Sequence, residues 1–259
     1  MNIMMVGDIC GKPGRLAAAY CIPLLRQEYP IDLIIANGEN SAGGIGITAP
    51  VMEELLSLGV DVITSGNHIW DKKEIMNFIG DDSRLIRPAN YPPGTPGFGH
   101  TILTKNQVKI AVINLAGRAF MPPIDCPFRE ADKILSEISG QADIILVDFH
   151  AETTSEKMAL AWYLDGRISC LAGTHTHIQT ADERILTNGT AYITDLGMVG
   201  PWDSVLGVDK DLVIKKFLTG LPAKFSLADG RTVFCAVIVQ IDEASGKAKA
   251  ITRIQKHVN

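Results

Sequence analysis

Short apolar runs alternate with helix-like periods through the first two thirds of the chain. Residues 2–6 (NIMMV) are continuously apolar after Asn2 and read as a buried strand. Gly11-Lys12-Pro13-Gly14 then turns into a helix carrying residues 16–26. Residues 32–36 form a second strand. Thr48 is placed as an N-cap, with Pro50 in the first turn and Glu53 and Glu54 close behind, for a helix that runs to Leu58 and stops at Gly59. A third strand over 60–64 and a helix over 71–79 follow. Residues 84–99 hold four prolines and three glycines, too many for a central strand or a long helix, so they read as a long functional loop. Strands are expected at 99–104 and 108–115, a proline-bearing loop at 117–127, a helix at 128–138 and a strand at 143–149 ending on His150. A helix at 155–164 and a strand at 168–172 complete this part.

The final third changes period. Asn188-Gly189 is a hairpin signal between 183–186 and 190–194. A second hairpin joins 234–241 to 248–254 around Ser245-Gly246. A strand-rich ending after a βαβ beginning predicts a mixed sheet, or two sheets packed together. No repeat, low-complexity tract or linker interrupts the chain, which predicts one domain over residues 1–259.

At 259 residues and 46% apolar, the chain can bury most of its apolar surface without disulfides. Its five cysteines are odd in number and contain no Cys-x-x-Cys, which points to a reducing compartment. The first residues lack a basic start and a long apolar core, so they do not read as a signal peptide. No apolar run approaches ~18 residues, so no membrane span is expected. A cytoplasmic protein is the expectation. The formal charge of −5 argues against a broad nucleic-acid surface, although not against a local contact with an RNA end.

The candidate chemistry lies where apolar runs end. Gly173-Thr174-His175-Thr176-His177 places two imidazoles two residues apart after a strand, a spacing that can aim both at one place. Asp8, Glu39-Asn40, Asn67-His68 and His150 end other apolar runs. Four of six histidines lie in these clusters, leaving only His100 and His257 outside. Open α/β sheets bind ligands at the carboxyl ends of their strands, so these side chains can share one site. Carboxylates, asparagine carbonyls and imidazoles suit a borderline metal such as Mn, Fe or Zn better than Mg or Ca. So many ligands exceed the needs of one tetrahedral ion and fit two ions sharing a carboxylate. Two divalent ions against Asp8 and Glu39 leave a charge of about +2, enough to attract a phosphate.

These motifs resemble the calcineurin-like metallophosphoesterases. Gly66-Asn67-His68 matches their Gly-Asn-His element, His150 their later lone histidine, and Thr174-His175-Thr176-His177 their Gly-His-x-His. Cys10 stands where that family has a histidine, and Glu39 where it has a bridging aspartate. Those departures, with GDICGKPGR, TSGNHIWD, GTHTHIQTADERIL and DLGMVGP, are similar to the YmdB-like branch over essentially the whole chain. The resemblance implies an α/β fold, a four-layer αββα sandwich of two mixed sheets. It also implies a di-metal centre, often iron, with Mn or Zn as alternatives. Asp8, Glu39, Asn40 and His177 would hold one ion. Glu39, Asn67, His150 and His175 would hold the other, with His68 as proton donor and a metal-bridging hydroxide as nucleophile. The implied reaction is hydrolysis of cyclic nucleotides, 2′,3′-cyclic nucleotides first. The alternatives are a phosphomonoesterase or nucleotidase, and a regulatory protein binding a nucleotide or RNA end with little turnover. A homo-oligomer is expected, with the proline-rich loop as a candidate contact. Cys10 reads as a spectator near the metal, Asp148 as a partner of His150, and Ser41–Gly46 either as a phosphate-approaching backbone or as a flexible turn. Trp70, Tyr91 and Phe120 are candidates for stacking a base.

Overall fold

The computed structural model describes residues 1–258. Two mixed sheets pack face to face, with helices on both outer faces. The first sheet has the order β2-β11-β12-β1-β3-β4, with β13 also on β12. Its strands are β1 (Asn2–Val6), β2 (Asp8–Ile9), β3 (Leu33–Asn37), β4 (Val62–Thr64), β11 (Met198–Pro201), β12 (Thr232–Ile241) and β13 (Ala248–Val258). Strands β1, β3 and β4 run parallel, while β12 lies antiparallel between β1 and β13. The second sheet has the order β5-β6-β7-β8-β10-β9. It comprises β5 (His100–Lys105), β6 (Val108–Ala116), β7 (Ile144–His150), β8 (Cys170–Thr174), β9 (Arg184–Ile185) and β10 (Ala191–Ile193). Its four central strands are parallel and its two edges antiparallel.

Strand alternation builds the layers. Ile3 and Met5 of β1 face Ile110, Val112, Ile144 and Leu146 across the inter-sheet core. Met4 and Val6 face the other way, onto α1 (Gly11–Glu28) and α2 (Ala49–Ser57). In the second sheet Ala111, Ile113, Val147 and Phe149 point outward onto α3 (Pro127–Glu137) and α4 (Thr154–Leu164). Both faces of each central strand are therefore apolar. That is why these strands read as unbroken apolar runs rather than as alternating ones.

Three expectations need correction. The helix over 71–79 is a single 3₁₀ turn, Lys73–Asn77, in which only Ile75 is buried. One apolar anchor does not hold a longer helix, and Asp71 is committed to a turn on His68. Thr48 occupies the N-cap position of α2, but its side chain makes no capping bond. The segment between the two late hairpins, read without a helix, forms α5 (Lys210–Thr219). Its exposed apolar residues give no helical core signal of the ordinary kind.

Candidate metal and phosphoester site

The parallel strands of both sheets point their carboxyl ends to one place. Asp8 follows β1, Glu39 and Asn40 follow β3, and Asn67 follows β4. From the other sheet His150 ends β7, and His175 and His177 follow β8. Asp8, Glu39, Asn40 and His150 are buried, with His175 and His177 partly so.

The packing around the site depends on missing side chains, between the sheets at Gly66 and within the second sheet at Gly173. A Cβ on Gly66 would fall within the ring of His150, and a Cβ on Gly173 would meet the Thr194 carbonyl. Glycine before Asn67 is therefore required by packing, not by chain flexibility.

His150 Nε2 lies 3.0 Å from Glu39 Oε1, 3.0 Å from Asn67 Oδ1 and 3.0 Å from His175 Nδ1. Hydrogen-bond partners at the far side of each ring decide what that nitrogen carries. The Thr174 hydroxyl donates to Asp148 Oδ1 at 2.6 Å, so its oxygen is left to accept from His150 Nδ1–H at 3.0 Å. Asp148 also accepts from Thr64 Oγ1 and, at 3.3 Å, from Asn37 Nδ2. His175 Nε2–H donates to Glu152 Oε2 at 3.1 Å. Both rings thus turn bare nitrogens inward, and Glu39 and Asn67 add oxygens. Three lone pairs, each 3.0 Å from that of His150 Nε2, repel it unless a cation sits among them. Adjacent ligands with bonds of about 2.1 Å have that spacing.

A second group adjoins the first. His177 Nδ1–H donates to the Leu206 carbonyl at 3.0 Å, which leaves Nε2 facing inward, 3.3 Å from Asn40 Nδ2 and 3.9 Å from Asp8 Oδ1. Asp8 Oδ2 accepts from the His175 backbone at 3.2 Å, but the buried Oδ1 has no hydrogen-bond partner among the described residues. A buried carboxylate oxygen with no donor beside it fits the role of a metal ligand. Glu39 lies between the two groups, with Oε1 3.4 Å from Asn40 Nδ2. A half turn of the Asn40 amide would present its oxygen instead. The donor set therefore fits cations held by carboxylate, amide and imidazole.

The electrostatics follow from burial and pairing. Burial pushes the Asp8 carboxyl up to about 6, against the pull of His177 and His150. Without a cation, burial also pushes Glu39 up, but the charge and hydrogen bond of a protonated His150, whose own value Glu39 raises, outweigh it with help from His68 and hold Glu39 at about 2; a bound cation would take the place of that Nε2 proton. Burial, reinforced by the neighbouring His150, drives His175 down to about 3. The ring next to His150 is thus neutral and available as a ligand.

The two histidines after β8 do not converge through strand alternation, as their spacing predicted. The strand ends at Thr174, and both residues sit in left-handed conformations, with φ of 98° at His175 and 64° at His177. A turn sends the first ring to His150 and the second to Asp8 and Asn40. Such backbone costs of order 1–3 kcal/mol per residue. Asp195 offsets it by accepting from the N–H and hydroxyl of Thr176, the residue between them.

His68 stands at the rim. Its backbone N–H donates to Glu39 Oε2 at 2.9 Å, and its Nδ1 lies 2.6 Å from Asp71 Oδ2. Three contributors escaped the sequence reading: Asp71, Glu152 and Asp195. Asp71 lies three residues after His68 and Glu152 two after His150, so proximity to a ligand was the signal available for both. Asp195 opens the DLGMVGP run, and that membership was the signal available for it. Cys10 is buried with Sγ 3.8 Å from His177 Nδ1, beside the ligand groups rather than among them. Trp70 and Tyr91 pack edge to face at 5.6 Å and against the core, whereas Phe120 is 94% exposed.

Comparison with known proteins now decides the kinship, because the family described as YmdB-like protein matches residues 4–254. The chain belongs to the YmdB-like family. A relative from Bacillus subtilis (strain 168), named 2′,3′-cyclic-nucleotide 2′-phosphodiesterase, is 51% identical over 254 residues, covering 98% of this chain and 96% of the relative. The crystal structure of a hypothetical protein from Thermus thermophilus superposes with a TM-score of 0.93 at 42% identity, covering 99% of each chain. That of a novel phosphatase from Mycoplasma pneumoniae gives 0.94 at 33% identity, covering 99% of this chain and 93% of the other. The four-layer fold of two mixed sheets is therefore shared with both of these solved proteins.

Proposed function

We propose that this YmdB-like protein is a metal-dependent phosphodiesterase that opens 2′,3′-cyclic nucleotides at the 2′ ester. The observation that carries the reading is the convergence of Glu39 Oε1, Asn67 Oδ1 and His175 Nδ1 on His150 Nε2 beside the orphaned Asp8 Oδ1. The name of the Bacillus subtilis relative supports the substrate class. Asp8, Glu39, Asn40 and His177 would hold one cation, and Glu39, Asn67, His150 and His175 another. Iron, manganese and zinc all suit that donor set. Such cations, when bound, neutralise phosphoryl oxygens and acidify water.

The chain's own residues do the rest. Thr174, Glu152 and the Leu206 carbonyl fix three imidazoles in the ligating tautomer. Asp71 holds Nδ1–H of His68, so that the imidazolium carries its transferable proton on Nε2. As a water oxygen bonds to phosphorus and the P–O2′ bond breaks, His68 protonates the departing 2′ oxygen, the proton lost by the attacking water passes to solvent, and His68 is reprotonated from solvent, leaving a 3′-monophosphate and a free 2′ hydroxyl. The five free cysteines and the absence, among the described residues, of any helix able to cross a membrane support a cytoplasmic setting.

The test is hydrolysis of 2′,3′-cyclic AMP and bis-p-nitrophenyl phosphate by purified protein, before and after chelation, beside p-nitrophenyl phosphate. Activity on the diesters that disappears in chelator and returns with metal is expected. Faster turnover of the monoester would make the protein a phosphomonoesterase, as the Mycoplasma pneumoniae relative's name suggests for that protein. Tight nucleotide binding without turnover under iron, manganese and zinc would make it a regulatory binder.

A further inference from the structure

Phe120 stands 94% exposed beside the site, in a left-handed conformation with φ of 60°. Neither fact serves the fold. A ring in solvent buries no apolar surface, and a bulky residue adopts that backbone only at a cost. Yet the loop that carries it is firmly held. Glu156 of α4 accepts from Arg118 N–H through both carboxylate oxygens, each at 3.1 Å, and from Ala119 N–H at 3.2 Å. The buried Asn90 side chain clasps the two ends of the loop. Its amide donates to the carbonyls of Ala116 at 2.8 Å and Asp125 at 2.9 Å, and its oxygen accepts from Ala116 N–H at 2.9 Å. Strained backbone that its surroundings hold in place clusters at active sites and ligand clamps.

The same contacts fix where the ring stands. Strand β6 runs parallel to β7 with Ala116 opposite His150, and Gly117 N–H donates to the His150 carbonyl at 2.9 Å. Phe120 is three residues on, so its α-carbon lies within about 11 Å of that of Gly117. The segment after β7 serves ligand and loop together. Glu152 accepts from His175 Nε2–H, and Glu156, four residues later, holds Arg118 and Ala119. Asn90 leads into Tyr91, which packs on Trp70, two residues after His68. The loop therefore belongs to the rim of the site, where a phosphoester held at the centre projects its remaining groups.

We propose that Phe120 stacks the base of the nucleotide whose cyclic phosphate lies at the metal site. This rests on the phosphodiesterase activity proposed for that site. The centre grips phosphate by charge, and any diester offers that. A nucleobase adds a neutral aromatic face, which a phenyl ring open to solvent matches. A ring positioned before the substrate arrives loses little freedom on binding. Stacking on an aromatic tolerates every base, so the subsite selects nucleotides as a class rather than one base.

Steady-state kinetics of the full, metal-loaded chain test this with two substrates, 2′,3′-cyclic AMP and methyl riboside 2′,3′-cyclic phosphate, which has the same ester and no base. Phe120→Ala should raise KM for cyclic AMP roughly 10–100-fold, the effect of removing one aromatic stack, with kcat within about twofold of wild type. Its kcat/KM on the baseless ester should stay within about twofold of wild type, and Phe120→Trp should restore the KM for cyclic AMP. An unchanged KM for cyclic AMP, or an equal loss on both substrates, overturns the proposal. A wild type that hydrolyses neither ester would instead defeat the phosphodiesterase reading, and the stack is then read by binding. Adenosine 3′-monophosphate should quench the fluorescence that Phe120→Trp adds, while ribose 5-phosphate leaves it unchanged. Absence of that quenching overturns the proposal as well.

Discussion

Replacing Lys157 tests how the histidine turn is held. Lys157 is wholly buried on α4, its Nζ 2.6 Å from the equally buried Asp195 Oδ2. Asp195 also accepts from Thr176 N–H at 3.1 Å, Thr176 Oγ1 at 2.7 Å and Gly197 N–H at 2.8 Å. Lys157→Met keeps the volume and removes the counter-charge, leaving a carboxylate in the core. Breaking a buried pair costs about 3–5 kcal/mol, and the three surviving donors put this case near 3. With a urea slope of about 3 kcal/mol per molar for a chain of this size, the unfolding midpoint should fall by about 1 M. The assay is equilibrium urea unfolding of metal-free protein followed by circular dichroism. K157M/D195N, which neutralises the stranded charge but keeps an acceptor for Thr176, should recover at least half of the loss. A midpoint within about 0.3 M of wild type in K157M would refute the reasoning, because the pair would then carry no net stabilisation.

Other outcomes follow from the same geometry. Gly66→Ala should displace the His150 ring and leave well under half of the wild-type metal content by elemental analysis of purified protein. His68→Ala should lower diester turnover by roughly 10²–10⁴-fold with metal content retained, and loss of metal in that variant would reassign His68. Asp71→Asn should move turnover in the same direction by a smaller factor. Asp8 is protonated below about 6, so cation affinity at pH 5 should be roughly fivefold lower than at pH 6, measured by isothermal titration. In metal-free protein the raised Asp8 value means that its stabilising contribution is full below 3.8 and is lost as pH rises through about 6. Asp8→Asn should therefore raise the melting temperature of metal-free protein at pH 7 while removing one of the two cations, and a lowered melting temperature would contradict this.

Much of the site was visible in the sequence because its candidate ligands sit at strand ends, where an apolar run stops at a polar residue. Asp8, Glu39, Asn67 and His150 all announced themselves that way. The layers were legible for a related reason, since strands buried on both faces leave unbroken apolar runs. The residues that orient the ligands were harder to see. Glu152 and Asp71 act through turns whose geometry no periodicity reports, and Asp195 reaches Thr176 from 19 residues away. The left-handed turn at His175 and His177 was invisible because non-glycine residues seldom adopt it, so strand alternation was the natural but incorrect basis for their convergence. Helix α5 was missed because its apolar residues Ile214, Phe217 and Leu218 are turned outward and Val213 alone is buried.

Neither layer of the sandwich owns the centre. Asp8, Glu39, Asn40 and Asn67 hang from one sheet, and His150, His175 and His177 from the other. A captured ion would therefore rivet the two halves at their shared rim, as a crosslink distant in sequence does. Stripping it should loosen that rim before the rest of the fold yields, so the first protease cuts in demetallated protein belong at the 39–46 and 175–180 turns.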